Sequence, residues 1–121
     1  PFRVNHPQDH LSEFALGYKF SDAAGHLAVF SGDTGACSEL NKAALGSDLL
    51  VVECSVPDEL EITGHLNPAA VGALCAESKP GHVVLTHQYP AAAAMDLPAE
   101  IARYYSGKIS QAVDGDSFQV G

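Results

Sequence analysis

Three apolar runs, Leu27-Ala28-Val29-Phe30, Leu49-Leu50-Val51-Val52 and Val83-Val84-Leu85-Thr86, recur along the chain at intervals long enough to hold a helix. A strand that is apolar at successive positions suits a sheet covered on both faces, as parallel sheets usually are. Each run delivers one metal-competent or proton-moving residue. Ser31-Gly32-Asp33-Thr34-Gly35 follows the first, Glu53 the second and His87 the third. The carboxyl edge of an open α/β sheet is where ligands bind, so the pattern constrains the fold and the place of a site together.

The intervening segments read consistently with an α/β sheet. Phe2 to Val4 looks like the end of a strand, and a polar, histidine-bearing loop follows from Asn5 to Glu13. Ala15 to Ser21 and His26 to Ser31, joined by Asp22-Ala23-Ala24-Gly25, carry a hairpin signal. Ala36 to Leu45 has helical spacing of Leu40, Ala43 and Ala44, with Gly46 as its stop. Asp48 to Cys54 is a strand. Asn67 before Pro68 is an N-cap followed by a first-turn proline, opening a helix that ends at Lys79-Pro80-Gly81. His82 to His87 is another strand, and Pro98 to Ser106 another helix. Ile109 to Val113 and Ser117 to Val120 flank Asp114-Gly115-Asp116 and predict a last hairpin. Strands alternating with helices give an α/β class. These short helices leave apolar sheet surface over, which predicts that part of the fold lies outside the chain.

Size and charge narrow the function. At 121 residues there is room for a single domain. A formal charge of −9 repels a phosphate backbone, so any nucleic-acid role needs a local basic or metal-charged site. No apolar run approaches the length of a membrane span. Cys37, Cys54 and Cys75 lack C-x-x-C spacing and read as free thiols of a reducing, cytoplasmic compartment. The chain opens Pro1-Phe2-Arg3-Val4 without Met, as though entered in mid-strand, which predicts a processed or truncated polypeptide.

Imidazole and carboxylate together suit Zn²⁺, Mn²⁺ or Fe. Asp33 alone would more often be a turn or capping residue; with His10 and His87 in the same chain it becomes a candidate ligand. Glu53 and His65 also have plain structural readings, as a polar strand end and a turn closure. His26 and His82 read as structural.

The ordered run of Asp9-His10, Ala15-Leu16-Gly17-Tyr18-Lys19-Phe20, Ser31-Gly32-Asp33-Thr34-Gly35, Asp48 to Glu53, His65-Leu66-Asn67-Pro68 and Leu85-Thr86-His87 resembles the second half of a metallo-β-lactamase-fold hydrolase. Ribonuclease Z and its phosphodiesterase relatives are the nearest branch, and the resemblance covers roughly residues 2 to 90. It implies the C-terminal half of a four-layer αββα fold, a mixed sheet with helices on one face, filling residues 1–121. It also implies His10, Asp33 and His87 as metal ligands, Asp33 bridging two ions, zinc foremost and manganese or iron as alternatives. His6 remains the alternative to His10. Glu53 and His65 match the pair that assists proton transfer to the leaving group, so the resemblance places Glu53, His65 and Asp33 in catalysis.

The H-x-H-x-D-H motif of that family is absent, since no two histidines here are separated by a single residue. The expected function is therefore that of a metal-dependent hydrolase cleaving a phosphodiester or related ester with a metal-bound hydroxide, inactive as this chain alone. The expected partners are a small-molecule or nucleotide ester and the N-terminal half of the same domain, with a second copy in a homodimer as a further option and no membrane. A non-catalytic module of the same fold, serving protein association, is the alternative.

Overall fold

The computed structural model describes residues 1–7 and 15–121. A six-stranded sheet runs in chain order, from β1 (Phe2–Val4) through β2 (Ala15–Ser21), β3 (Leu27–Phe30), β4 (Leu49–Glu53) and β5 (His82–Thr86) to β6 (Lys108–Gln111). Its first three strands are antiparallel neighbours, and β3 to β6 are parallel. Helix α1 (Ser38–Ala44) crosses from β3 to β4, α2 (Pro68–Ser78) from β4 to β5, and the short α3 (Pro90–Ala93) and α4 (Leu97–Ile101) from β5 to β6.

The strand pleat sorts the two faces. Val29, Leu50, Val52, Val83 and Leu85 point to the helices and join Leu40, Val71, Leu74, Cys75, Leu97 and Ile101 in the main core. Burial of each large side chain there contributes about 1.5–3 kcal/mol. The opposite face presents Ala28, Leu49 and Val84, covered by Phe118 and Val120 of the C-terminal tail. Beyond that cover Tyr18, Phe20 and Phe30 stay exposed. They form an aromatic cluster, with Tyr18 stacked on Phe20 and Phe20 edge-on to Phe30. The helices thus occupy one face of a mixed sheet, as expected.

Local chemistry accounts for the elements. In the β2–β3 turn, Asp22 Oδ1 accepts from the N–H groups of Ala24 and His26, each at 2.9 Å. Asn67 Oδ1 accepts from the Ala70 N–H at 2.9 Å and caps α2. That helix ends on Lys79 at φ 50°, a left-handed C-cap.

Two expectations about the C-terminal third are corrected. The tail forms no hairpin, because β6 pairs in parallel with β5 and the chain around Ser117 to Val120 is not a strand. The turn at Asp114-Gly115-Asp116 does form, with the Asp116 N–H on Val113 O at 3.1 Å. After it, Phe118 and Val120 gain more by covering the sheet than by pairing at its edge. The helix expected over Pro98 to Ser106 regularises only over Leu97–Ile101, and α3 precedes it where the sequence shows only an alanine run.

Candidate active site

β1 runs in the same direction as β3, so four strand ends, those of β1, β3, β4 and β5, meet at one edge of the sheet. Asp33 follows β3, Glu53 ends β4, His65 precedes α2 and His87 follows β5. His6 follows β1.

Glu53 is the hub. Its side chain is 1% exposed, and both oxygens are fully engaged. Oε1 accepts from the Thr34 N–H at 2.8 Å and faces His65 Nδ1 at 2.9 Å. Oε2 accepts from Ser55 Oγ at 2.6 Å and from the Leu66 N–H at 2.9 Å. The Glu53 N–H in turn donates to Ser31 Oγ at 3.1 Å. One carboxylate therefore ties the loop after β3 to the segment before α2. Burying a carboxylate is costly unless such donors replace water.

His65 is held by that contact. A carboxylate is acceptor-only, so Nδ1 carries the hydrogen and Nε2 is left outward with its lone pair. Nε2 meets the Tyr89 hydroxyl at 3.2 Å. Gly64, the residue before His65, gives Pro7 room to pack close. It sits at φ +84°, and a Cβ there would lie 2.1 Å from Pro7 Cδ.

Asp33 and His87 meet across the edge, with His87 Nε2 3.5 Å from Asp33 Oδ2. Unlike Glu53 they are open, at 47% and 37% side-chain exposure. Gly32, at φ +61°, supplies the turn that presents Asp33. His87 itself adopts φ 53°, unusual for a non-glycine residue and of the kind that concentrates at functional sites. Its ring stacks on His65 at 5.6 Å between centroids.

His6 also reaches this cluster, its ring edge-on to His65 at 5.2 Å. The cause lies one residue earlier. The Asn5 N–H donates to Thr34 Oγ1 at 3.0 Å, and the Gly35 N–H donates to Asn5 O at 2.7 Å. This clamp fixes the end of β1 against the Asp33 loop and carries His6 inward. His6 Nδ1 faces Pro7 O at 2.8 Å. His10, favoured by its distance from Gly17-Tyr18, lies outside the described residues.

Other residues had no assigned role in the sequence: Ser55, Thr34 and Tyr89. Thr34 and Ser55 stand within the quoted motif and two residues after Glu53, so proximity was their only signal. Cys54, beside Glu53, is buried, and burial pushes its thiol up to about 12, with the Glu53 charge adding to the effect, so little reactive thiolate is present. Burial likewise pushes Cys75 up to about 12.

Two clefts flank the histidines. One of about 370 Å³ lies beside His65, lined by Asn5, Leu60, Ile62, Thr63 and Asn67 among others. Another of about 440 Å³ is lined by Thr86, His87, Gln88, Ala112, Val113 and Asp114.

The donor types, one carboxylate with imidazoles, fit zinc, manganese or iron. Their number does not suffice alone. Among the described residues no three His, Cys, Asp or Glu side chains are arranged to hold an ion, and a structural zinc site takes four ligands. The fit is that of a partial donor set.

Comparison with known proteins gives the chain's family and fold. A family model, the Beta-lactamase superfamily domain, matches residues 1–88, which include every residue of the cluster except Tyr89. The chain belongs to the metallo-β-lactamase superfamily. It is 29% identical over 123 residues to an uncharacterized protein of Mycobacterium leprae, spanning 99% of this chain and 41% of that protein. A Mycobacterium tuberculosis protein is 28% identical over 126 residues, spanning 99% of the chain and 43% of its own length. Among solved structures, the metallo-β-lactamase fold protein YhfI from Bacillus subtilis superposes with a TM-score of 0.83 at 23% identity, covering 95% of this chain and 46% of that one. Human tRNase Z, short form, gives a TM-score of 0.70 at 17% identity, covering 98% and 41%. The chain thus spans less than half the length of these superfamily proteins.

Proposed function

We propose that this chain contributes the C-terminal half of the active site of a metal-dependent hydrolase of the ribonuclease Z-like branch, acting on a phosphodiester or related ester. The observation that carries the reading is the pairing of a buried, fully engaged Glu53 with His65, whose outward Nε2 stands beside the open Asp33–His87 pair. Asp33 and His87, with His10 or its alternative His6, would hold two divalent ions. When bound, such ions supply an activated water and neutralise charge building on the ester.

The chain's own residues do the rest. Glu53 holds His65 in one tautomer and orientation, and Nε2 becomes the atom that passes a proton to the departing oxygen. Thr34, Ser55 and Leu66 fix the carboxylate, so the imidazole stays aimed while substrate comes and goes. The cleft beside His65 offers the leaving group a wall of Leu60 and Ile62 next to the amides of Asn5 and Asn67. Glu61 in the same cleft and the net charge of −9 favour a small ester over a long polyanion.

The missing ligands belong to the N-terminal half of the domain. The exposed cluster of Tyr18, Phe20 and Phe30 is the surface on which that half would pack. Zinc is the first candidate for the metal, with manganese and iron as alternatives.

The test uses the full-length polypeptide, stripped of metal and then loaded with Zn²⁺ or Mn²⁺, against bis-p-nitrophenyl phosphate. Metal-dependent hydrolysis that Asp33→Ala abolishes is the expected result, with little or no turnover by residues 1–121 alone. A full-length protein that neither retains divalent metal nor cleaves the ester would favour a non-catalytic association module. That alternative also draws on the partial donor set.

A further inference from the structure

Tyr89 stands at the junction of the two candidate histidines, and its placement is over-determined. Its N–H donates to Ser55 O at 3.0 Å, which anchors it to the loop after β4. Pro90 follows and begins α3, so Tyr89 is confined to the extended conformation it shows, φ −72° and ψ 161°. From that fixed backbone the ring meets His65 and His87 edge-on, at 5.4 Å from each centroid. The hydroxyl reaches His65 Nε2 at 3.2 Å. That nitrogen is the one Glu53 leaves uncommitted. Tyr89 remains 39% exposed and packs against neither hydrophobic cluster of the sheet, so core packing does not explain its position.

We infer that Tyr89 is a positioning residue for leaving-group protonation, extending the Glu53–His65 pair into a line of three hydrogen-bonded groups. The inference rests on the proton-donor role proposed for His65. With neutral His65, the Tyr89 O–H donates to Nε2. With His65 protonated, Nε2–H donates to the tyrosine oxygen, or to the departing oxygen when an ester is bound. The bond to that oxygen breaks with its electron pair remaining on it, and the Nε2 proton completes the alcohol. The entering water supplies the new bond to the acid half and releases the proton that His65 regains. Tyr89 is chemically unchanged. Its hydroxyl keeps Nε2 directed toward the edge, and its ring keeps His65 and His87 in fixed relative orientation.

The experiment compares Tyr89→Phe with the wild type in the full-length, metal-loaded protein. Phe keeps the ring and removes only the hydroxyl. Two diesters are used, one with a p-nitrophenolate leaving group, which departs without a proton, and one with an alkoxide leaving group, which needs one. The expected result is a roughly tenfold fall in kcat for the alkyl ester, the worth of about one hydrogen bond. The p-nitrophenyl ester should change less than about twofold, with KM preserved for both. A second readout needs no turnover. In nitrogen-detected NMR of the metal-free protein, Tyr89→Phe should shift the His65 Nε2 resonance and leave Nδ1 and the His82 ring in place. Equal losses on both esters, no loss on the alkyl ester, or an unmoved Nε2 resonance would each overturn the inference. Wild-type protein inactive on both esters would instead remove the hydrolase reading on which it rests.

Discussion

Replacing Glu53 with Gln is the sharpest test of the network that organises the edge. The amide oxygen keeps two of the four contacts, whichever way the side chain turns. If it retains the Thr34 N–H and His65 Nδ1, the NH₂ group faces Ser55 Oγ and the Leu66 N–H. The Ser55 hydroxyl rotates to accept, but the Leu66 N–H meets another donor. One orphaned buried N–H costs about 1–3 kcal/mol. The two retained bonds lose their charge assistance, about 1 kcal/mol each. The neutral amide is cheaper to bury, which offsets part of this. The net expectation is a loss of about 3 kcal/mol. With a urea dependence of about 1.5 kcal/mol per M, the unfolding midpoint falls by about 2 M. Asp33→Asn, with both proteins stripped of metal, is the matched control: a half-exposed carboxylate whose His87 neighbour lies at 3.5 Å should change stability by no more than about 0.5 kcal/mol. Equilibrium urea denaturation followed by far-UV circular dichroism of the full-length protein reads both. A midpoint for Glu53→Gln within about 0.5 M of wild type would refute the reasoning, because the carboxylate would then not be holding the two loops together.

Three further outcomes concern His87, the cysteines and His82. His87 holds a left-handed backbone, so His87→Gly should be more stable than His87→Ala by about 1 kcal/mol, read as the difference in their urea midpoints; equal stabilities would deny the strain. Cys54 and Cys75 are buried with thiols pushed up to about 12, whereas Cys37 is half-buried, so alkylation of the native protein should label Cys37 and spare the other two until denaturant is added. Burial, with a smaller contribution from Lys108, holds the His82 imidazole below its usual range, where it bonds Ser110 and packs on Phe118. The unfolded chain therefore binds more protons between the lowered value and 6.5, so His82 contributes stability above that window and loses it as pH falls through it. Urea midpoints taken above and below the window should fall less for His82→Asn than for wild type; an equal fall would exclude the contribution.

The apolar runs made the sheet legible because an uninterrupted Leu49 to Val52 or Val83 to Leu85 is favourable only when both faces are covered. Caps were equally legible, since Asn67-Pro68 and Asp22 act through bonds within a few residues. The tail was not. Ile109 to Val113 and Phe118 to Val120 carry a pattern that serves pairing or covering alike, and the free edge of β5 together with the bare Ala28–Leu49–Val84 surface decided between them. At the site, Glu53 and His65 lie twelve residues apart, and only the resemblance joined them before their 2.9 Å contact was seen. The approach of His6 to His65 was not legible either, because the clamp of Asn5 on Thr34 and Gly35 that carries it there joins residues about thirty positions apart.

The two unfinished features of the molecule have a common geometry. Asp33 and His87 open at the carboxyl edge of the sheet, and the aromatic cluster lies on the helix-free face along β2 and β3, the strand whose end carries Asp33. Phe30 stands three residues before Asp33 and pairs across the ladder with Tyr18 and with Val51, which itself precedes Glu53 by two residues. A layer packed on Tyr18, Phe20 and Phe30 would therefore end beside the half-exposed carboxylate. Under the function proposed above, burying that aromatic surface and completing the donor set are one event, because the same strands that present the rings present the ligands. Burial of this face at about 25 cal/mol per Å² then stabilises the assembly that brings the remaining donors to the edge. Polar substitutions at Phe20 and Phe30 in the full-length protein should accordingly weaken divalent-metal retention without touching a ligand, a loss that equilibrium dialysis against zinc measures directly. Unchanged retention in a Phe20→Ser, Phe30→Ser double variant would separate the two features and leave the aromatic face for another partner.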